Sequence, residues 1–126
     1  MKRGRSTSGP TIAQQQRMDA ITDIGCIVAH SLGLGWMLAE VHHLTVGGKH
    51  GQKRRGHDFT IGLNPWSHRG DPFGGMSPDT CEKLFGPSYA KQPRRFRQEI
   101  GSDDYLLDLQ NTLLEQHRKE ASPWAA

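Results

Sequence analysis

The pattern of apolar and polar positions predicts a helix near each end of the chain. A first helix begins at Thr11, whose side chain suits a helix cap, and ends at Gly25. The segment 103–120 (DDYLLDLQNTLLEQHRKE) repeats leucine at helical spacing, with acidic residues in its first turn and basic residues in its last. We expect those leucines to pack in the core, and we assign them no chemistry.

The middle of the chain predicts two strands followed by a short helix. Residues 39–46 (AEVHHLTV) and 58–63 (DFTIGL) are typical of short strands, and the glycine-rich basic segment 47–57 joins them as a mobile loop. Asn64 followed by Pro65 indicates a helix start, because the asparagine side chain caps a helix and proline is favoured at its first position. This order predicts a ββα unit.

Two further helices are predicted before the C-terminal one. Ser77 and Pro78 begin a helix that ends near Gly86, and residues 89–100 are helical with a break or a late start at Pro93. The predicted fold class is therefore α+β, in which flanking helices surround a two-stranded hairpin and its short helix.

Length and composition fit one small domain. The chain has 126 residues, of which 34% are hydrophobic, so we expect a disordered basic arm at 1–10 and a single domain over 11–126. The ββα core occupies about 39–72 and the helical part 77–120. The N-terminus lacks the apolar stretch of a secretory signal, and no segment is apolar enough to span a membrane. Only two cysteines predict a reduced, cytoplasmic protein without a disulfide scaffold.

Positive charge is concentrated locally, although the formal net charge is only +3. Local positive potential, more than net charge, is what a polyanion binds. Three clusters carry it: Lys2, Arg3 and Arg5; Lys49, Lys53, Arg54 and Arg55; Lys91, Arg94, Arg95 and Arg97.

Seven histidines are present, and the placement of three of them is informative. His42 and His43 are adjacent in the first predicted strand, and His68 lies on the short helix after the second. Successive side chains of a strand point to opposite faces, so His42 shares a face with Glu40 while His43 lies on the other. Such a pair suits a division of labour, with one imidazole on a metal and its neighbour activating a nucleophile.

These residues carry a resemblance to a known family. The segments EVHHLTVGG, DFTIGLNPWSHRG and LFGPS resemble the ββα-metal (HNH-type) endonucleases and, more narrowly, the phage recombination-enhancement (Ref) nucleases, over roughly residues 24–116. The resemblance implies a metal-dependent DNA endonuclease with little sequence specificity. It also implies a phage-encoded enzyme that works in the host bacterial cytoplasm with a recombinase filament of the RecA class.

The resemblance also implies roles for single residues. His42 and His68 match the metal ligands, which would hold Mg²⁺, Mn²⁺ or Zn²⁺, and His43 matches the general base. Either Asp58 or Thr60 stands where this superfamily often places an asparagine that orients the base.

Basic residues around the predicted hairpin are candidates for gripping the phosphate backbone. Contacts of this kind carry affinity without sequence information and weaken with salt. The candidates are Lys49, Lys53, Arg54, Arg55 and Arg69.

The sequence departs from the resemblance at a structural zinc site. Many relatives carry a CxxC pair and further ligands on the helix, whereas only Cys26 is kept here, with Ala29, Asn64 and Ser67 at the other places. Such a site needs about four ligands, so a structural zinc is doubtful and Cys26 is expected to be a buried thiol, as is Cys81. The alternative is a second metal held by Cys26, His30 and His57.

Without that zinc, the ββα unit would depend on apolar support, for which Trp36, Trp66 and Phe59 are the candidates.

Two other functions remain open beside the nuclease. One is a noncatalytic nucleic-acid-binding protein derived from an HNH nuclease. The other is a small interaction protein whose C-terminal helix docks a partner.

Overall fold

The structure is a computed structural model that describes residues 9–46 and 53–121. Within those ranges the chain forms six helices and two strands, in agreement with the predicted α+β class. In chain order they are α1 (Ile12–Ile24), α2 (Ile27–Ser31), β1 (Glu40–His43), β2 (Thr60–Leu63), α3 (Pro65–Arg69), α4 (Pro78–Phe85), α5 (Pro93–Glu99) and α6 (Asp103–Ala121).

The predicted helix signals at four sites are confirmed. Thr11 and Gln14 form a reciprocal cap at the start of α1, which ends at Gly25. The Asn64 side chain accepts a hydrogen bond from the Ser67 amide at the start of α3, where proline holds the first position. Ser77 and Ser102 cap α4 and α6 in the same way.

The helix predicted over 89–100 is observed over Pro93–Glu99, which confirms the late start at Pro93, because proline favours the first turn of a helix and not its interior. Helix α2 was not predicted. Its first three residues, Ile27, Val28 and Ala29, are all buried and its last two are exposed, so five residues in little more than one turn show no helical periodicity.

Strands β1 and β2 pair antiparallel, with His42 opposite Ile61 and His43 opposite Thr60. Both are shorter than the predicted 39–46 and 58–63. Beyond His43 the hairpin continues only as a single bridge between Thr45 and Arg54.

The pairing is interrupted because five residues, 55–59, face the single residue Leu44. The Leu44 amide donates to the Phe59 carbonyl at 2.8 Å, and its carbonyl accepts from the Arg55 amide at 2.8 Å. We name residues 55–59 the excursion. It resembles an enlarged bulge, which re-aims side chains where a ladder is broken, and it carries His57 toward β1.

The core is built from α2, the hairpin, and helices α3 to α6. Its buried apolar members are Cys26, Ile27, Val28, Ala29, Leu44, Ile61, Leu63, Trp66, Cys81, Phe85, Tyr89, Phe96, Leu106 and Leu113. Both thiols are buried as predicted, and Trp66 and Phe59 support the core. The prediction for Trp36 is wrong: the side chain is 66% exposed, because its indole N–H donates to the Asp23 carbonyl at the end of α1.

Side chains from two helices bond the outer edge of β2. Gln110 of α6 accepts from the Gly62 amide at 2.8 Å. Arg17 of α1 donates to the Thr60 carbonyl at 2.8 Å and to its hydroxyl at 2.9 Å. Gly62 lets α1 approach closely, since a Cβ at this position would lie 2.9 Å from a side-chain carbon of Ile21.

Some predictions fall outside the described residues. These are the arm at 1–10, apart from its last two positions, and the half of the basic loop that includes Lys49. Across 9–46 and 53–121, no helix combines the length and the apolar character that crossing a membrane requires.

Candidate functional site

On one side of β1, the fold brings His42 and His68 together. The ring centroids are 4.9 Å apart in an edge-to-face arrangement. His42 comes from the strand and is 5% exposed, whereas His68 comes from the last turn of α3, which the Asn64 cap and Pro65 start directly after β2. Two residues that are 26 positions apart therefore meet because the turn between strand and helix is so short.

Glu40 links His68 to Arg69 on the same side of β1. Its carboxylate lies 2.9 Å from His68 Nδ1 and accepts from Arg69 Nε at 2.9 Å and from Arg69 Nη2 at 2.6 Å. The hydrogen bonds from Arg69, with a smaller contribution from His68, lower the pKa of Glu40. The carboxylate thus stays ionised and fixes His68 through Nδ1, so the Nε2 atom is the one available to a ligand.

Tyr89 forms the floor on the inner side of His42. The two ring centroids are 4.8 Å apart, and Tyr89 is 1% exposed. Its backbone amide donates to the Ser67 carbonyl of α3, while Arg97 stacks over its ring at 5.5 Å. Burial raises the pKa of the Tyr89 hydroxyl, which lies 3.4 Å from an Asp103 carboxylate oxygen and stays protonated at neutral pH.

On the other side of β1, His43 contacts His57. The distance between His43 Nε2 and His57 Nδ1 is 3.0 Å, and the ring centroids are 5.1 Å apart. Burial lowers the pKa of His43 to about 4, with further contributions from the charges of Arg54 and His57. At neutral pH the His43 ring is uncharged and has one nitrogen lone pair to accept a proton.

The two candidates for orienting the base lie elsewhere in the network. Asp58 is exposed and accepts a hydrogen bond from Gln14 of α1 at 3.1 Å. The Thr60 hydroxyl accepts from Arg17 and donates to the His57 carbonyl at 3.1 Å. The side chain that reaches His43 is His57.

The predicted phosphate-binding residues differ in their exposure and in their contacts within the protein. Lys53 and Arg54 are exposed beside the excursion. Arg55 stacks over Phe59 at 4.5 Å and lies 3.7 Å from an Asp104 carboxylate oxygen.

Arg69 is bound within the protein. Its guanidinium takes both oxygens of Glu40 and also bonds Asp71. It therefore contributes first to the His68 cluster, although 48% of its side chain is exposed.

The chemistry of the donor set fits an open catalytic ion better than a closed structural one. His42 and His68 offer two imidazoles at one place, and neutral imidazole is a common ligand of divalent metals. Among the described residues, no group of three or more His, Cys, Asp or Glu side chains is arranged to hold an ion. An ion at His42 and His68 would leave positions for water and a phosphate oxygen.

The structure does not bring together Cys26, His30 and His57, the residues of the alternative second metal site. Cys26 Sγ accepts a hydrogen bond from the side-chain nitrogen of Asn64 at 3.3 Å, and His57 contacts His43. The three residues do not form a group in the described part of the chain. Burial raises the pKa of Cys26, which keeps it a thiol and makes it a poor metal ligand.

Sequence reasoning did not assign a role to Glu40 or Tyr89, and it considered His57 only as a ligand of the alternative second metal. For Glu40 a signal existed, since strand periodicity places it on the face of His42 and a carboxylate is a common partner of a ligating histidine. No comparable signal pointed to Tyr89 or His57, because both reach the site through irregular backbone.

One comparison with known proteins identifies a family for the chain. The sequence model of one protein family, described as recombination enhancement, RecA-dependent nuclease, matches residues 10–115. Neither the curated proteins nor the solved structures include a match to the chain. The matched segment spans α1 through most of α6 and includes every histidine of the two clusters, and the chain therefore belongs to the family of RecA-dependent recombination-enhancement nucleases.

Proposed function

We propose that the protein is a metal-dependent DNA endonuclease of the HNH type that hydrolyses phosphodiester bonds with little sequence specificity. The observation that carries this proposal is the pair His42 and His68, 4.9 Å apart, with Glu40 bonded to the second of them. Membership of a nuclease family supports the reaction class. The resemblance to phage enzymes adds the proposal that the chain is phage-encoded and acts in the host cytoplasm.

His42 and His68 would hold the ion, with Glu40 fixing the orientation of the second ring. A bound divalent ion neutralises the charge that develops on a phosphate and on the leaving oxygen. Tyr89 and the core behind it limit the movement of His42. The protein side of the site is therefore preorganised, which is where electrostatic catalysis gains its effect.

His43 would act as the general base. It follows His42 directly but its ring lies on the other side of β1, so a phosphate served by both rings would have to lie at the edge of the strand, between its two sides. His43 would take a proton from water while the water oxygen attacks phosphorus and the bond to the leaving oxygen breaks. A positioned base of this kind contributes about 10²–10⁴-fold.

Lys53 and Arg54 would hold the phosphate backbone beside that edge. Both are exposed, and Arg54 lies close enough to His43 for its charge to lower the pKa of the ring. These contacts read charge rather than bases. Sequence selection would then come from the partner, for which the family name supports a RecA-class filament.

Nicking of supercoiled plasmid tests the proposal. Purified protein is assayed in EDTA or with Mg²⁺, Mn²⁺ or Zn²⁺, with and without a RecA filament. His43→Ala is compared with His30→Ala, a matched loss of an exposed histidine on α2. We expect metal-dependent cutting that His43→Ala reduces at least 100-fold and His30→Ala leaves unchanged; equal activity of the two variants would refute the role of His43.

A noncatalytic DNA-binding protein is the second candidate. It is favoured by the finding that only His42 and His68, and no third ligand, converge in the described residues. Under this alternative the protein retards DNA in a gel but leaves it intact with every metal, with or without the filament.

A further inference from the structure

We propose that His57 is the positioning residue for His43, which it holds through a hydrogen bond between the two rings. The inference rests on the proposed nuclease function and identifies a residue that orients its general base. The contact is 3.0 Å from His43 Nε2 to His57 Nδ1, within the range of a well-formed hydrogen bond.

The fold brings His57 to this place through the excursion. Leu44 closes residues 55–59 at both ends with its own amide and carbonyl. The Thr60 hydroxyl then donates to the His57 carbonyl at 3.1 Å, and Arg17 of α1 holds Thr60 by two hydrogen bonds. His57 is thus fixed from the hairpin on one side and from α1 on the other.

The hydrogen bond determines which nitrogen of His43 can act as the base. A neutral imidazole has one N–H and one lone pair, and Nε2 of His43 is the atom that faces His57. When Nε2 carries the proton and donates it to His57 Nδ1, the lone pair of His43 stays on Nδ1 and can accept a proton from water. The same bond holds the ring in one orientation.

The neighbouring polar groups do not compete for this role. Asp58, the residue after His57, extends away and bonds Gln14. The Thr60 hydroxyl is already used by Arg17 and by the His57 carbonyl. His57 therefore orients His43, a role that the resemblance had suggested for Asp58 or Thr60.

The first test compares His57→Phe with His57→Asn. Phenylalanine keeps a ring against His43 but removes the acceptor, whereas the asparagine side-chain oxygen can stand close to the lost Nδ1. We expect His57→Phe to lower kcat about 10–100-fold, as the loss of a partner that orients a functional histidine typically does, with KM and DNA affinity unchanged. His57→Asn should recover most of that loss, and His30→Phe serves as the matched control.

The second test needs no activity. Nitrogen-15 spectra of the His43 ring distinguish the Nε2–H tautomer from the Nδ1–H tautomer. We expect Nε2–H in the wild type and in His57→Asn, and a mixture of both tautomers in His57→Phe. This readout would stand even if the wild type cut no DNA, so failure of the nuclease and failure of the positioning role are distinguishable.

Thr60→Val is the second variant, in case His57→Phe does not fold. It removes the hydroxyl that fixes the His57 carbonyl and should give a smaller loss of kcat in the same direction. A proton found on Nδ1 of His43 in the wild type would overturn the proposal. So would a His57→Phe enzyme that is folded and has full kcat.

Discussion

Two adjacent histidines on one short strand have opposite surroundings. His42 is 5% exposed and contacts the rings of His68 and Tyr89, so three separate parts of the chain build its environment. His43 is half-buried, and its ring contact, His57, lies just across the hairpin. The difference teaches that strand geometry alone can give the same residue type two environments, one inside the protein and one nearer its surface.

The inner side combines an ion-paired carboxylate with tight packing, whereas the outer side holds one neutral ring beside an exposed arginine. On the inner side Glu40 ties a histidine to an arginine, and Tyr89 fills the space behind. On the outer side, burial and the charge of Arg54 keep His43 neutral. Substitutions on the two sides should therefore change different measurements.

The largest expected effect is on stability. His42→Ala removes a buried ring from between two others and should lower the free energy of unfolding by roughly 2–4 kcal/mol, as other large-to-small core changes do. His43→Ala should cost only about 1 kcal/mol, the value of one partly exposed hydrogen bond. Urea denaturation of both variants measures the difference, and equal losses would contradict the inner and outer assignment.

The next effect concerns ion binding on the inner side. Glu40→Gln keeps the shape of the side chain but removes the charge that holds His68, so affinity for Zn²⁺ or Co²⁺ should fall about tenfold. Isothermal titration calorimetry measures the change. Glu115→Gln, which breaks an exposed pair with Arg118 on α6, is the matched control and should bind the ion like the wild type.

A smaller effect is expected in DNA binding on the outer side. Arg54→Gln should weaken binding severalfold and reduce the slope of log K against log salt by about 1, since one phosphate contact is lost. Arg118→Gln changes the same charge on α6 and should leave the slope unchanged. Fluorescence anisotropy at several salt concentrations measures the slopes. Identical slopes for the wild type and Arg54→Gln would show that Arg54 does not contact DNA.

The smallest effect is a pH dependence of folding stability that comes from Cys26 in the core, where burial raises the pKa of the thiol. The unfolded chain loses this proton near pH 9.0 while the folded chain keeps it, so stability falls as pH rises through that value. The expected loss between about pH 8 and pH 9.5 is under about 1 kcal/mol. Cys26→Ala should show a flatter profile in reducing buffer; a steeper one would contradict the burial argument.

The sequence was informative where local rules decide structure. Caps and helix-ending residues such as Thr11, Asn64 and Gly25 act within a few positions, so the starts and ends of α1 and α3 were predictable. The tandem pair and His68 could be grouped because a strand, a tight turn and a short helix leave little freedom.

The features that the sequence did not predict depend on backbone segments without helical or strand periodicity. The excursion forms because Leu44 bonds both ends of a five-residue segment opposite it. The sequence of residues 55–59 contains no pattern that predicts this geometry. The position of Tyr89 is set by its amide contact with Ser67, which links two segments through a loop. His57 and Tyr89 therefore became visible as parts of the site only in three dimensions.

The helices that cover the outer edge of β2 also affect how molecules of this protein meet one another. An unpaired strand edge can serve as a template for another chain and lead to aggregation, and an isolated two-stranded hairpin is only marginally stable. Here the Gly62 amide is bonded to Gln110 and the Thr60 carbonyl to Arg17, so the groups that would start an intermolecular ladder are already engaged. Two polar side chains thus take the place of a third strand along this edge and make it a poor template for a second chain.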